Sequence, residues 1–514
     1  MATGLGAPAA AEPNPGRTTD NLNGGSAGHL IAMRHAESRL RENGISLSWA
    51  GQPPEGFVSL RVDSRDVQAG DLFCAISGTV VDGHDFVSDA ASAGAVCAIV
   101  QRPVDATIPT LHVSDSRAAA AHLASLAAGD PGARLSVAGV TGTNGKTTTT
   151  LLLRHLLEDL GPSAALGTLG LFMPDGSRRT RSRITTPGPI ELTADLAEIV
   201  AAGASYLAME VSSHALDQRR VEAVRFAVAV FTNLSREHLD YHPDMDSYLQ
   251  AKLRFADLLA PDGVAVVNAD DPAWKSPEIA GLASLTFGLG DGADVRADGI
   301  RYSADGSRWT LVTPAGRDSV VFPLLGDFNV SNALAAAAAA HALGVNSATL
   351  AARLATAPQI PGRMEVLARG PGPLVLRDYA HTPDGLKRAL EALRGLAEGC
   401  LTVVFGCGGD RDRGKRPLMG RVAVGTADRV ILTTDNPRTE DVGQIFGDIS
   451  ADLPADSVEV IEDRAEAIHE AIRGAESLDV ILLAGKGHET YQDIRGQKCP
   501  FDEAEIVAGI TGRV

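Results

Sequence analysis

The segment Leu135–Thr148 constrains the fold more tightly than any other part of the chain. An apolar run, Leu135–Val140, breaks at Thr141-Gly142-Thr143-Asn144-Gly145 and restarts as a helical pattern at Lys146-Thr147-Thr148. A β-type run followed at once by glycines and a helix opens a βα unit, and such units build parallel sheets. The same residues suit phosphate. Glycines let backbone N–H groups turn toward phosphate oxygens, the helix N-terminus adds positive potential, and a Lys ammonium reaches the β- and γ-phosphates. Thr147 would offer its hydroxyl to Mg²⁺. The spacing departs from the common GxxxxGK[ST] pattern, with Val140 where the first glycine ordinarily stands. Loose glycines alone fit a plain turn equally well; Gly-Lys-Thr-Thr between a strand and an amphipathic helix favours a nucleotide site.

Around this unit the chain organises into three α/β regions. With 514 residues it has length for about three domains. Residues 1–33 are rich in Ala, Gly, Pro and Asn and read as a disordered tail, without the apolar core of a signal peptide. Residues 34–132 carry short β-type runs (Val58–Val62, Asp71–Ile76, Ala95–Val100) and a helical stretch, Ser116–Ala128, ending at a Gly-Asp-Pro-Gly linker. Residues 133–360 alternate strands (Leu135–Val140, Tyr206–Val211, Phe226–Phe231, Val264–Asn268) with helices, which implies a mostly parallel sheet covered on both faces. Residues 361–514 repeat the rhythm with Leu374–Asp378, Leu401–Gly406, Arg429–Thr433, Val458–Ile461 and Val480–Ala484, a Rossmann-like domain.

Composition narrows the function. Lys plus Arg is 46 and Asp plus Glu 64, a formal charge of −18. Such a surface repels phosphate backbones and argues against nucleic acid as the main partner. Five scattered cysteines, an odd number with no CxxC pair, suit a reduced compartment and give no zinc spacing. The longest Ala-rich run, Ala333–Ala340, is too short to span a bilayer, so a cytoplasmic protein is expected. Only seven lysines occur (Lys146, Lys252, Lys275, Lys387, Lys415, Lys486, Lys498), so a lysine inside a motif carries information.

Ligands in open α/β sheets gather at the carboxyl ends of strands. Glu210 ends one strand, in Met209-Glu210-Val211-Ser212-Ser213-His214, and His238 follows another, in Thr232-Asn233-Leu234-Ser235-Arg236-Glu237-His238. A carboxylate there suits Mg²⁺; a histidine is unusual for it and reads, alone, as a hydrogen-bonded loop residue.

The loop Thr141-Gly142-Thr143-Asn144-Gly145-Lys146-Thr147-Thr148 resembles the phosphate loop of the Mur ligases and of their folylpolyglutamate synthetase relatives, and further matches run in family order from about Val62 to the end. The resemblance implies a ligase with three domains: a small N-terminal α/β UDP-binding domain, a central P-loop ATPase domain and a C-terminal Rossmann-like domain. ATP contacts fall on Gly142, Thr143, Asn144, Gly145, Lys146, Thr147 and Thr148, on Asn329, and on Arg363, Asp378 and His381. Thr147, Glu210 and His238 become ligands of two magnesium ions. Lys252, in a helical pattern and alone a solvated surface residue, is implied to be carbamylated by CO₂ and to hold metal as an anion. Lys146, Lys252, His238 and Glu210 are the implied catalytic set.

The resemblance also assigns the substrate ends. Asp63-Ser64-Arg65 with Gly70-Asp71-Leu72-Phe73 is similar to the uridine-nucleotide module of the tripeptide-forming members, which puts Val62, Ser64, Thr79, Val80 and Val81 on a UDP-sugar. Thr185, Thr186, Ser212, Gln218 and Arg220 match positions that hold its peptide end. Asp435-Asn436-Pro437-Arg438 matches the DNPR motif of the diaminopimelate-adding branch, and Arg411, Gly485 and Glu489 match its other amino-acid contacts. The chemistry agrees. Meso-diaminopimelate is lysine with a second carboxylate, and an Arg rewards that carboxylate while penalising a lysine ammonium.

The expected reaction forms an amide between the D-Glu γ-carboxylate of UDP-N-acetylmuramoyl-L-alanyl-D-glutamate and meso-diaminopimelate through an acyl phosphate, in cell-wall precursor synthesis, with small-molecule substrates only and a monomer as the default. The rivals are lysine addition, folate polyglutamylation and, from another class, a P-loop ATP switch that binds partners.

Overall fold

The structure is a computed structural model describing residues 30–78, 81–180 and 184–512. The chain divides into two compact units between Ser116 and Arg117. In the first unit, the strand Ile31–Ala32 pairs with Gly56–Phe57 and runs into the helix Met33–Glu42. A five-stranded sheet follows, in the order Leu47–Ala50, Thr110–Val113, Cys97–Val100, Leu72–Cys74, Leu60–Arg61, antiparallel at its first pair and parallel thereafter. Asp63 closes the turn after the last of these, its carboxylate accepting the Arg65 N–H at 3.0 Å.

Among its described residues the second unit carries two large sheets and an antiparallel two-stranded one, Tyr491–Ile494 with Gln497–Pro500. One has eleven strands. Its centre is parallel: Ser163–Gly167, Tyr206–Glu210, Ser136–Thr141, Phe226–Phe231, Leu259–Asn268, Ser284–Gly288 and Val295–Ser303 lie side by side in that order. Antiparallel strands finish both edges, Gly170–Phe172 and Arg178–Arg179 at one and Gly306–Thr313 and Gly316–Phe322 at the other. Two hydrophobic clusters cover its faces, as the apolar character of the central strands requires. The helices Lys146–Leu157 and Asp327–Ala342 pack on one face with Val140, Val230 and Val266, and the helix Pro189–Ala201 packs on the other with Met209, Phe226 and Phe255.

The other sheet has six strands, Glu365–Ala368, Leu374–Asp378, Val480–Ala484, Leu401–Phe405, Arg429–Leu432 and Glu459–Val460, all parallel except the first. Helices Pro383–Arg394 and Arg464–Arg473 belong to its two opposite cores. The architecture is the expected α/β one, with a mostly parallel central sheet and a Rossmann-like C-terminal sheet. The antiparallel edge strands were not anticipated. Among the described residues no helix is long and apolar enough to cross a membrane.

Candidate functional site

The loop after Ser136–Thr141 is tied down by the loop that follows the neighbouring strand Phe226–Phe231. Thr143 N donates to Asn233 O at 2.7 Å, Asn144 N to Asn233 Oδ1 at 2.9 Å, and Thr232 Oγ1 to Asn144 O at 2.9 Å. Gly142 sits at φ +147°, and a Cβ there would collide with the Thr232 hydroxyl. Only glycine allows so close an approach.

Two lysines meet at this loop, Lys252 buried and Lys146 partly so. Lys146 Nζ donates to Gly142 O at 2.9 Å and Thr143 O at 2.7 Å. Lys252 Nζ donates to the same Gly142 O at 2.9 Å, and its ammonium lies 4.6 Å from the Tyr248 ring centre. Lys252 is 1% exposed, so it is no surface residue. It is carried by the helix Met245–Leu253, which Asp244 caps by accepting Ser247 N at 2.7 Å. Burial holds the Lys252 ammonium well below its usual range, and the nearby Lys146 charge pushes it further down. Burial also lowers Lys146, against the opposing carboxylates of Glu237 and Glu210.

Glu210 is buried at the end of its strand. Its Oε1 accepts Thr168 N at 2.9 Å and its Oε2 accepts Thr168 Oγ1 at 3.1 Å. From there a chain of hydrogen bonds runs outward. Thr168 Oγ1 is 3.1 Å from Thr185 Oγ1, Thr186 Oγ1 donates to Glu210 O at 2.9 Å, and Ser212 N donates to Thr186 Oγ1 at 3.1 Å. Arg220 closes the chain on Thr186 O at 2.8 Å and on Gln218 Oε1 at 2.7 Å. The five residues expected to hold a peptide-bearing substrate therefore form one continuous patch beside Glu210. His238, on left-handed backbone at φ +57°, stacks edge-on to His214 with centroids 4.9 Å apart. Burial lowers His238, and holds His214 at about 4.

Among the described residues no group of three His, Cys, Asp or Glu side chains is close enough to hold a metal ion. Three of the four expected ligands, Thr147, Glu210 and Lys252, are nonetheless buried beside the phosphate loop, and the fourth, His238, feels the charges of Lys146 and Lys252.

A cleft of about 720 Å³ opens between the eleven-stranded and six-stranded sheets, lined by Asn144, Gly145, Asn332, Arg363, Asp378 and His381 among others. Asn329 lies behind its wall, donating Nδ2 to Leu325 O at 2.7 Å and accepting Asn332 Nδ2 at 3.1 Å. Arg363 reaches Thr147 Oγ1 at 3.5 Å and stacks on Tyr379, 4.8 Å from the ring centre; its buried Nε has no hydrogen-bond partner among the described residues. Asp378 accepts Met364 N at 2.7 Å, and burial raises its pKa. His381 bonds the Tyr379 carbonyl at 2.8 Å, and burial lowers its pKa.

Past Tyr379 lies a second polar cluster. Arg438, at φ +50°, bonds the Gly409 carbonyl, and its backbone N–H donates to Asp493 O at 2.9 Å. Asn436 Nδ2 donates to Glu489 Oε2 at 2.8 Å, and Lys486 Nζ donates to Asn436 Oδ1 at 3.0 Å. Gly485, at φ +108°, lets the chain pass the Asp435 carboxylate, which a Cβ would strike at 2.5 Å. Arg411 and Pro437 lie on the same loops, Arg411 exposed and Pro437 buried.

In the first unit, Val62 and Ser64 are half-buried after the edge strand Leu60–Arg61, and Val81 is exposed. Thr79 and Val80 lie outside the described residues. Sequence reasoning matched Asn332 with Asn329 to the ATP side, where it lines the cleft, but gave no role to Thr168, Tyr248, Lys415 or Lys486. Lys415 donates to His381 O at 2.8 Å. The scarcity of lysine pointed toward Lys415 and Lys486, and Lys486 also stands in the motif Gly485-Lys486-Gly487-His488-Glu489; Thr168 and Tyr248 carried no signal.

A glycine loop at a parallel strand's carboxyl end, opening on a cleft whose far wall is a second Rossmann-like sheet, defines a nucleotide-using α/β enzyme of the phosphate-loop class. The chain belongs to the Mur ligase family. The family's catalytic-domain description matches residues 57–137, its middle domain 140–340 and its glutamate ligase domain 362–487. A relative from Gloeobacter violaceus, named UDP-N-acetylmuramoyl-L-alanyl-D-glutamate–2,6-diaminopimelate ligase, is 45% identical over 485 residues, 93% of this chain and 97% of its own. A solved structure of a ligase with the same name aligns over 90% of this chain and 96% of its own, with a TM-score of 0.66 and 34% identity. The structure of a MurF ligase from Thermotoga maritima in complex with ADP shares the fold, with a TM-score of 0.59 and 20% identity over 88% of this chain and 96% of its own.

Proposed function

We propose that this chain joins meso-2,6-diaminopimelate to the D-Glu γ-carboxylate of UDP-N-acetylmuramoyl-L-alanyl-D-glutamate, using ATP, in the synthesis of peptidoglycan precursors. The three larger sheets support dividing the work, with residues 34–132 for the UDP-sugar, 133–360 for ATP and 361–514 for the amino acid. ATP would lie in the cleft, its phosphates on the loop N–H groups and Lys146, and its nucleoside toward Asp378 and His381. The γ-phosphate passes to the substrate carboxylate held along the Thr185–Thr186–Ser212–Gln218–Arg220 patch. The incoming amine then attacks the acyl phosphate, a tetrahedral intermediate collapses, and phosphate leaves. The chain's own contribution is alignment and charge: Lys146 and Arg363 offset charge that builds on the transferring group.

The donor set fits magnesium and a modified lysine. Glu210 and Thr147 present oxygens, which Mg²⁺ prefers. Lys252, buried beside another cation, supplies the neutral amine that CO₂ requires, and its carbamate would add an anionic oxygen ligand beside His238. Metal bound there would neutralise phosphate charge. The free cysteines, four of them wholly or partly buried, accord with a cytoplasmic location.

Arg438 carries the choice of amino acid. Its side chain is only about a quarter exposed (26%), fixed by a left-handed backbone and the Gly409 carbonyl beside the Asn436–Glu489 pair. A guanidinium so held rewards a second carboxylate and repels an ammonium. Phosphate release measured with the nucleotide dipeptide and either meso-diaminopimelate or L-lysine tests this. Turnover should require the dipeptide and prefer diaminopimelate; equal use of both amino acids removes the assignment, and turnover without the dipeptide returns the ATP-switch reading.

A further inference from the structure

Lys486 is completely buried in the amino-acid cluster. Besides its bond to Asn436, its Nζ lies 3.9 Å from Asp435 Oδ1 and 3.8 Å from Glu489 Oε2. Asn436 Oδ1 also accepts Asp493 N at 2.9 Å, so one lysine organises two carboxylates and an amide. The position is fixed from behind. Arg464 and Glu503, both fully buried, pair at 2.8 Å, and Arg464 Nη2 donates to Ala484 O at 2.9 Å, at the end of the strand from which Gly485-Lys486 departs. Burial lowers the Lys486 pKa, and the Asp435 carboxylate opposes that most strongly.

Burying an ammonium is costly, and an apolar side chain of the same size often leaves a protein as stable as the buried ion pair does. A retained buried charge therefore points toward specificity. Without the lysine, Asp435 and Glu489 would face the amino-acid site with an uncompensated negative charge. That charge would favour a side chain ending in an ammonium alone. With it, the local charge is closer to balanced, and an end that carries both ammonium and carboxylate is better matched.

We propose that Lys486 is a positioning residue that sets amino-acid specificity: its ammonium offsets the charge of Asp435 and Glu489 and tunes the site to a zwitterionic side-chain end over a purely cationic one. The inference rests on the ligase reading above and deepens it.

The experiment is steady-state kinetics of wild type, Lys486→Met and the charge-matched Lys486→Met/Asp435→Asn enzyme, with meso-diaminopimelate and L-lysine. In Lys486→Met the ratio of kcat/KM for diaminopimelate to that for lysine should fall at least about tenfold, equal to about 1.4 kcal/mol, while KM for ATP stays within about threefold of wild type. The double variant, which leaves no unpaired charge from this pair, should fold and recover part of the ratio. If both substrates lose activity together at an unchanged ratio, or if KM for ATP rises as much as KM for diaminopimelate, the role is structural and the proposal fails. The same holds if a folded double variant recovers none of the ratio. A wild-type enzyme that already uses both amino acids equally removes the ligase assignment instead, and this inference with it.

Discussion

The phosphate end and the amino-acid end of the second unit are built alike and charged differently. Each is a glycine-containing loop at the carboxyl end of a parallel strand, and each buries lysine. At the phosphate end, Lys146 and Lys252 converge on the carbonyl of Gly142. Backbone carbonyls accept from both, and for the Lys146 ammonium an anionic ligand would be a far better partner. At the amino-acid end, Lys486 already pairs with Asp435 and Glu489. The first end is left cationic for a polyanion to neutralise; the second is compensated in advance and discriminates by pattern. Substitutions should separate the two: losses at the phosphate end should strike turnover with every substrate, and losses at the amino-acid end should change which substrate is used.

The largest effect is expected at Lys146. Lys146→Met removes the ammonium aimed at the transferring phosphoryl group, and kcat should fall by about 10³-fold or more with either amino acid. Retention of a tenth of wild-type turnover, measured by phosphate release, would break the comparison at its first term. Lys252→Ala comes next, with a loss of about 10²–10³-fold if its carbamate supplies a ligand. A short-chain carboxylic acid should restore part of that activity by filling the space with a free carboxylate. Full activity in Lys252→Ala denies the residue any such part. At the other end, Arg438→Ala should lower kcat/KM for diaminopimelate by about 10²-fold, the scale of a lost charged hydrogen-bond pair. Its KM for ATP should stay near wild type, and lysine should be affected far less. Equal losses for both amino acids would place Arg438 outside the recognition of the second carboxylate.

How far these ends could be read from sequence follows from the range of the contacts involved. The central parallel strands were legible because both their faces are buried, which leaves unbroken apolar runs; Phe226–Phe231, Leu374–Asp378 and Val480–Ala484 were read to the residue. The antiparallel edge was not. Val295–Ser303, where the sheet turns antiparallel, buries only Val295 and Ala297 fully, its antiparallel pairing slips between Asp298 and Arg301, and its second half is mostly exposed. Ser163–Gly167 is fully buried but made mainly of small residues, so it gives no β-type signal. The site divides the same way. Local motifs gave the phosphate loop and Asp435–Arg438. Thr168, which holds Glu210 across 42 residues of sequence, became visible only once Ser163–Gly167 and Tyr206–Glu210 were neighbours. Lys486 was legible as a letter in a motif, but its partners were not.

The smallest effect is on stability, and it falls at the junction of the two ends. His488 lies against Tyr379, with ring centroids 5.6 Å apart, and its buried Nδ1 has no hydrogen-bond partner among the described residues. Burial, helped by Arg363, Arg178 and Arg377, holds its pKa at about 4. The unfolded imidazole titrates near 6.5, so between about pH 6.5 and 4 the unfolded chain binds a proton that the folded chain refuses. The neutral ring's contribution is therefore complete above about pH 6.5 and is lost as pH falls toward 4. After allowing for partial exposure it should amount to on the order of 1–2 kcal/mol. Thermal midpoints recorded across that range should fall less steeply in His488→Gln than in wild type. His214, also held at about 4 but at the phosphate end, supplies the counterpart: it packs against His238, Tyr241 and His242 whereas His488 packs against Tyr379, so His214→Gln should flatten the same window independently, as effects at separate sites add. If either single variant removes the whole slope, the two ends titrate as one unit, and the separation drawn between them does not hold below neutral pH.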